Sequence, residues 1–331
     1  MPIPEILAGR LSLPLICSPM FLASGPELVI AQCKERVVGT FPSLNARPAA
    51  ALDDWLERIH AELDAWNDAH PDTRAAPHGV NLILHKSNPR QEEDLGRVVA
   101  HRVPIVITSV GRPDKVVDKV HSYGGIVLHD VISVAHARKA IESGVDALIL
   151  VCAGAGGHGG TLSPFAFVSE VREFWDGPLV LAGALSSGRS LRAAEVLGAD
   201  LGYMGTRFIA THESAADPGH KAMIVRDTAA DILYTPAFSG ISANYLRNSV
   251  LAAGIDPDGL IRGENGGKDD LFAGIERKPK AWKDVWSAGQ GLGTIHDVPS
   301  VSELVARLRG EYFEAGATPL IRSAAHLRRI A

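Results

Sequence analysis

The stretch ALILVCAGAGGHGG, residues 147–160, decides the fold. Its first half is continuously apolar, and its second half is a glycine-rich turn carrying one histidine, His158. Unbroken apolar character marks a strand covered on both faces, where an alternating pattern would mark a strand with one face in water. Working outward, the same kind of run recurs along the chain. It appears as PLICSPM from Pro14, VVGTF from Val37, GVNLIL from Gly79, VPIVITSV from Val103, GIVLHDV from Gly125, PLVLAGA from Pro178 and LGYMGTRF from Leu201, which makes eight in all. Amphipathic stretches such as DDWLERIHAELDAW and SVAHARKAIESG fill the gaps, the second ending on Gly144, a suitable helix C-cap. The later runs recur at roughly 22- to 30-residue intervals. Eight strand–helix units predict an α/β protein, a (β/α)8 TIM barrel. A doubly wound sheet is the alternative, but CSPMFLASGPE after the first strand is not the G-x-G-x-x-G turn which that fold uses for dinucleotides.

After the eighth strand the rhythm breaks. Residues 211–290 are predicted to form a small, mainly helical subdomain on the substrate side. In it, AADILYTPAFSGISANYLRNSVLAAG reads as helix and loop and GENGGKDD as a flexible connection. The barrel then comprises residues 1–210 plus 291–331, with SVSELVARLRGEYFEAG as a closing helix.

Bulk properties narrow the function. The chain has 331 residues, 46% hydrophobic and 21% charged, with a formal net charge of −5. No basic stripe is visible, which argues against a nucleic-acid partner. No apolar run reaches the ~18 residues of a membrane span, and the first residues lack the basic start and apolar run of a signal peptide. Cys17, Cys33 and Cys152 are an odd count without metal-like spacing, so no metal site is expected and a reducing, cytoplasmic setting fits.

In such a barrel the loops after the strand C-termini build the active site. Three of them are glycine-rich: AGAGGHGG after strand six, AGALSSGRS after strand seven, and MGTRF at strand eight. Glycines after strands seven and eight let backbone N–H groups approach a phosphate, and a following helix N-terminus favours its charge. Thr206 can add a hydroxyl, while Arg207 reads as a structural ion pair. His158 then sits at the barrel mouth, where an imidazole can act as a base or an orienting donor.

The segments CSPM, GVNL, AGAGGHGG, LAGALSSGRS, LGADLGYMGTRFIATHES and WSAGQGLG, in that order from Pro14 to Gly293, resemble the nitronate monooxygenase (2-nitropropane dioxygenase) family. The resemblance implies a TIM barrel that binds FMN non-covalently and oxidises alkyl nitronates with O₂. It implies flavin contacts from the backbone near Pro19 and Met20, from Asn81, and from Gly156 and Gly157 along the ring. It also implies that Ala182, Gly183, Ala184, Gly205 and Thr206 hold the phosphate, that Gln290 lies near the flavin edge, and that His158 is the active-site histidine. Asn244 and Tyr245 would face a small-molecule substrate from the added subdomain. A homodimer is compatible. The alternative on the same scaffold is an NAD(P)H-dependent reductase of quinones or enoyl thioesters. There are departures from the family pattern. Ala153-Gly154 precede the AGGH where relatives carry a larger residue, and the phosphate turn is Gly183-Ala184 rather than Gly-Gly, which constrains φ at Ala184. Asp130 stands where some relatives place a lysine near the flavin N1/O2 edge. A carboxylate there would oppose an anionic reduced ring. A register slip of one residue would put His129 there instead.

Overall fold

Each of the eight apolar runs contains a strand. Numbered in chain order, they are β1 Leu15–Cys17, β2 Thr40–Pro42, β3 Gly79–Ile83, β4 Ile105–Ser109, β5 Ile126–Val131, β6 Ala147–Val151, β8 Leu179–Ala182 and β9 Leu201–Met204. A two-residue strand, β7 Gly157–His158, falls between the sixth and seventh of them. The computed structural model describes residues 3–262 and 282–317. The eight strands form one parallel sheet in the order β1-β9-β8-β6-β5-β4-β3-β2. An isolated bridge between Ile16 and Val38 joins β1 to the chain just before β2 and closes the TIM barrel. Helices surround it, and the helix Val301–Ala317 packs against Gly188–Leu197 and Pro26–Lys34, at the outside of the β8–β9–β1 arc. No described helix is long and apolar enough to cross a membrane.

Side-chain parity sorts each strand into two faces. Ile105 and Ile107 on β4, Leu128 on β5, Ile149 and Val151 on β6 and Tyr203 on β9 share one buried cluster, which fills the barrel interior. Val127 and Val131 on β5 belong instead to the larger cluster between sheet and helices. Asp130, two residues after Leu128, therefore points inward, and His129 points outward. The three cysteines are free and buried.

The added segment differs from the helix-and-loop reading. It carries helices, at Pro218–Arg226, Arg247–Ala252 and Pro257–Arg262, but ILYT and ANYL are strands, β10 Ile232–Thr235 and β11 Ala243–Leu246. They pair antiparallel, and β11 pairs in turn with β7 of the barrel loop. In β10 the buried Leu233 and Thr235 alternate with the more exposed Ile232 and Tyr234, a period of two that a short run hides. The GENGGKDD connection lies outside the described residues.

Candidate active site

The C-terminal ends of the barrel strands open into a cavity of ≈ 920 Å³. Its floor is the last inward layer of the barrel, and that layer is polar. The Asn81 amide Nδ2 donates to Ser109 Oγ at 2.8 Å, and Ser109 Oγ donates to Asp130 Oδ2 at 2.5 Å. Asp130 Oδ1 and the Tyr203 hydroxyl are shut off from solvent without a hydrogen-bond partner. Burial raises the Asp130 carboxyl to about 6, against the pull of the Ser109 hydrogen bond. Burial, and then the nearby Asp130 charge, push the Tyr203 phenol well above its usual range. His129 is also buried, but its Nδ1 meets Thr108 Oγ1 at 2.8 Å, and burial lowers its pKa to about 4. Of the two residues the register left open, Asp130 is the inward one.

The loop after β6 forms one wall. Gly154 and Gly157 have φ of 85° and 72°, in the region that favours glycine. This loop is tied to the added segment at several points. Gly157 and His158 pair with Asn244 and Ala243, the Asn244 amide donates to the Ala155 carbonyl at 2.6 Å, and the Tyr234 hydroxyl donates to Gly159 O at 2.9 Å. His158 is thereby fixed at the cavity edge, with its ring perpendicular to Trp282 at a centroid distance of 5.1 Å. Its Nε2 lies 2.8 Å from Ser239 Oγ, and the Ser239 hydroxyl donates to Ile241 O at 2.9 Å. Burial lowers the His158 pKa, so the ring is neutral at pH 7.

The adjoining wall is made by the loops after β8 and β9. Gly183 has φ 135° and Ala184 φ 55°, so the alanine sits in left-handed backbone. The Ala184 N–H makes a long 3.3 Å bond to Gly154 O. Thr206 Oγ1 accepts from the Gly289 N–H at 2.8 Å, which leaves its own hydrogen free to donate. The following helix, Gly188–Leu197, is closed by a capping box between Ser187 and Ser190, and its Gly188 N–H is taken by Glu311 at 2.7 Å. Its first amides are therefore largely engaged within the protein, and an anion here would rest on the turn amides and Thr206. Arg207 is buried and pairs with Asp297 at 3.0 Å, a structural contact.

The cavity brings together Pro19, Met20, Asn81, Asp130, Gly156, Gly157, His158, Ala182, Gly183, Ala184, Gly205 and Thr206. The Met20 backbone has little to offer a ligand, because its N–H donates to Ser24 Oγ and its carbonyl accepts from Asn45. Three expectations fare differently. Gln290 is exposed and does not line the cavity; its neighbours Gly289 and Gly291 do, and its own N–H bonds Gly154 O. Asn244 and Tyr245 are buried behind the wall, Asn244 as the tether of Ala155 and Tyr245 against Phe238 and Trp282. Sequence reasoning missed Ser109, Tyr203, Ser239 and Trp282. Ser109 and Tyr203 could have been found by carrying strand parity from the inward positions of β4 and β9; Ser239 and Trp282 carry no local signal.

The family model for nitronate monooxygenase matches residues 30–311, most of the chain. The chain belongs to that family. It is 27% identical to the nitronate monooxygenase of Paraburkholderia phytofirmans over 90% of this chain and 92% of that protein. It is 25% identical to a methyl-oxo-octahydroindene-carboxyl-CoA dehydrogenase of Rhodococcus jostii, over 76% of this chain and 67% of that one. In fold it is similar to the nitroalkane oxidase of Streptomyces ansochromogenes, with a TM-score of 0.78 at 22% identity, covering 95% of this chain and 100% of that chain. It is likewise similar to FabK of Thermotoga maritima, with a TM-score of 0.75 at 24% identity over 100% of both. As a member of the nitronate monooxygenase family the chain is an oxidoreductase acting on a small molecule, and the family is flavin-dependent.

Proposed function

We propose that the chain uses non-covalent FMN to oxidise alkyl nitronates with O₂, with His158 as the residue that handles the substrate. The observation that carries the reading is His158 itself, a neutral imidazole fixed at the edge of a cavity lined by glycine-rich backbone. The residues present fit a flavin. The backbone at Gly156, Gly157, Gly183 and Gly205 lines the cavity, and Gly157 is open on the side where a Cβ would stand, so a planar ring can lie against it. The unpartnered oxygens of Asp130 and Tyr203 sit in residues lining the floor, and such buried orphans cost roughly 1–3 kcal/mol each until something bonds them. The turn amides after β8, with Gly205 and Thr206, offer donors for one phosphate, and no dinucleotide turn is present. Bound FMN would supply the electron chemistry. The protein's part is to seat the substrate against the ring, to take an α-proton on His158 when the substrate arrives as the neutral nitroalkane, and to hold it in the same place without calling on that base when it arrives already ionised.

A second reading is a reductase drawing hydride from NAD(P)H. The far end of the cavity favours it, because Arg112 and Lys139 line that end, where a phosphate-bearing co-substrate could be held. Arg112 is partly neutralised by its two bonds to Asp114. Mixing the yellow holoprotein with substrate in the absence of oxygen separates the two. Bleaching by an alkyl nitronate and not by NADH or NADPH supports the first reading, and bleaching only by the nicotinamide supports the second.

A further inference from the structure

His158 makes one hydrogen bond among the described residues, from Nε2, and its Nδ1 has none. Hydrogen counting at Ser239 favours one tautomer. A serine hydroxyl has one hydrogen, and that of Ser239 goes to the Ile241 carbonyl at 2.9 Å. A carbonyl can only accept, so Ser239 is the donor of this bond. With its hydrogen on that carbonyl, the Ser239 oxygen accepts from His158, and Nε2 then carries the ring proton. In the neutral ring Nδ1 is then the bare lone pair. The edge of Trp282 against the ring restricts its rotation, and the pairing of β7 with β11 holds the backbone beneath it. Among the described residues burial is the sole cause of the His158 shift, and no neighbouring charge there sets its protonation. Ser239 lies on the loop between β10 and β11, outside the barrel. The added segment thus supplies the atom that orders the barrel's histidine.

We propose that Ser239 is a positioning residue that holds His158 as the Nε2–H tautomer, so that Nδ1 is the atom that accepts the substrate α-proton. This rests on the reading of His158 as a base. It divides the substrates in a defined way. A nitronate has already lost the proton, so its oxidation does not need a free Nδ1. A neutral nitroalkane does need one, so its use depends on Ser239 as well as on His158.

The test uses the full-length, FMN-loaded protein labelled with [15N]histidine. The His158 signals are assigned by their loss in His158→Asn. Wild type is expected to show a protonated Nε2 and an unprotonated Nδ1. Ser239→Ala is expected to show both tautomers in exchange, and Ser239→Thr, which keeps the hydroxyl, to restore the single one. In turnover, Ser239→Ala is expected to lower kcat/KM for the nitroalkane ~10-fold, the weight of one hydrogen bond, with the nitronate nearly unaffected and the threonine variant close to wild type. A wild-type ring protonated at Nδ1 overturns the proposal, and so does an Ser239→Ala ring that keeps one tautomer. A tautomer change that leaves the nitroalkane-to-nitronate ratio unmoved overturns it as well. Failure of the base reading is seen separately, as equal losses on both substrates in His158→Asn.

Discussion

Ser109 hands its only hydroxyl hydrogen to Asp130 Oδ2 at 2.5 Å, while the other carboxyl oxygen, Oδ1, has no partner. Asp130 is therefore half-satisfied in the barrel floor, and its raised pKa of about 6 follows from burial. In the unfolded chain such a carboxyl titrates near its ordinary value of 3.8. Below pH ~4 both states hold the proton and the site has no net effect on stability. As pH rises from there to about 6 the native state resists ionisation, and stability falls by at most about 3 kcal/mol. Asp130→Asn removes that loss. The variant is expected to melt roughly 5 °C above wild type at pH 8 and to match it near pH 4. A gap that does not change with pH in thermal unfolding of the flavin-free proteins would show that Asp130 is well solvated.

His158→Asn is expected to keep its flavin, because the phosphate donors lie on the loops after β8 and β9. Nitronate turnover should fall modestly, ~10-fold, and nitroalkane turnover by ~10²–10⁴-fold, the range of a lost general base. Steady-state rates on the two substrates give the ratio. If neither rate moves, His158 is only a structural loop residue.

The phosphate wall is best probed at Gly205. Gly183 is a poor choice, since its φ of 135° is closed to other residues and an added Cβ would lie 2.9 Å from the Ala153 carbonyl. At Gly205 an added Cβ would meet only Ser18 and Met20 side chains, at 3.4 and 3.5 Å. Gly205→Val is expected to fold with an unchanged circular dichroism spectrum and to lose FMN affinity by at least ~10-fold, about 1.4 kcal/mol. Full retention of FMN would place the phosphate elsewhere.

Ala184 pays for its left-handed φ of 55°, a conformation that costs a residue with a Cβ roughly 1–2 kcal/mol. Part of that is offset by the greater freedom of glycine in the unfolded chain. Ala184→Gly is expected to raise Tm by about 2 °C, with flavin content unchanged. A lower Tm would mean that the methyl contributes more through packing than it loses through strain.

The barrel was legible in the sequence because each strand is a local signal, an apolar run that ends in a turn. The glycine loops were legible for the same reason. Ser239 and the β7–β11 pairing were not. A two-residue strand that pairs with a segment more than eighty positions away leaves no periodicity to read. Asp130 against His129 was ambiguous from the run GIVLHDV alone, and only the shared face of Leu128 and its neighbours on β4 and β6 resolves it. Gln290 does not itself line the cavity, because the short 3-10 turn at Gln290–Thr294 presents the neighbouring glycines to it, while the glutamine side chain lies over Gly154.

The bridge between Ile16 and Val38 marks a seam in the barrel. Every other neighbouring pair of staves is joined by a ladder, whereas here two backbone bonds, Cys17 N–H to Val38 O at 2.8 Å and Val38 N–H to Leu15 O at 3.1 Å, span the join. The buried Thr40 hydroxyl adds a third by donating to the Cys17 carbonyl. A side chain thus stands in for a missing rung, and Thr40→Val, nearly the same in shape, would remove it. Amide hydrogens of Cys17 and Val38 would then exchange with solvent sooner than those of β4 and β5. Because Pro19 and Met20 continue directly from β1, the wall of the cavity would loosen along with the seam.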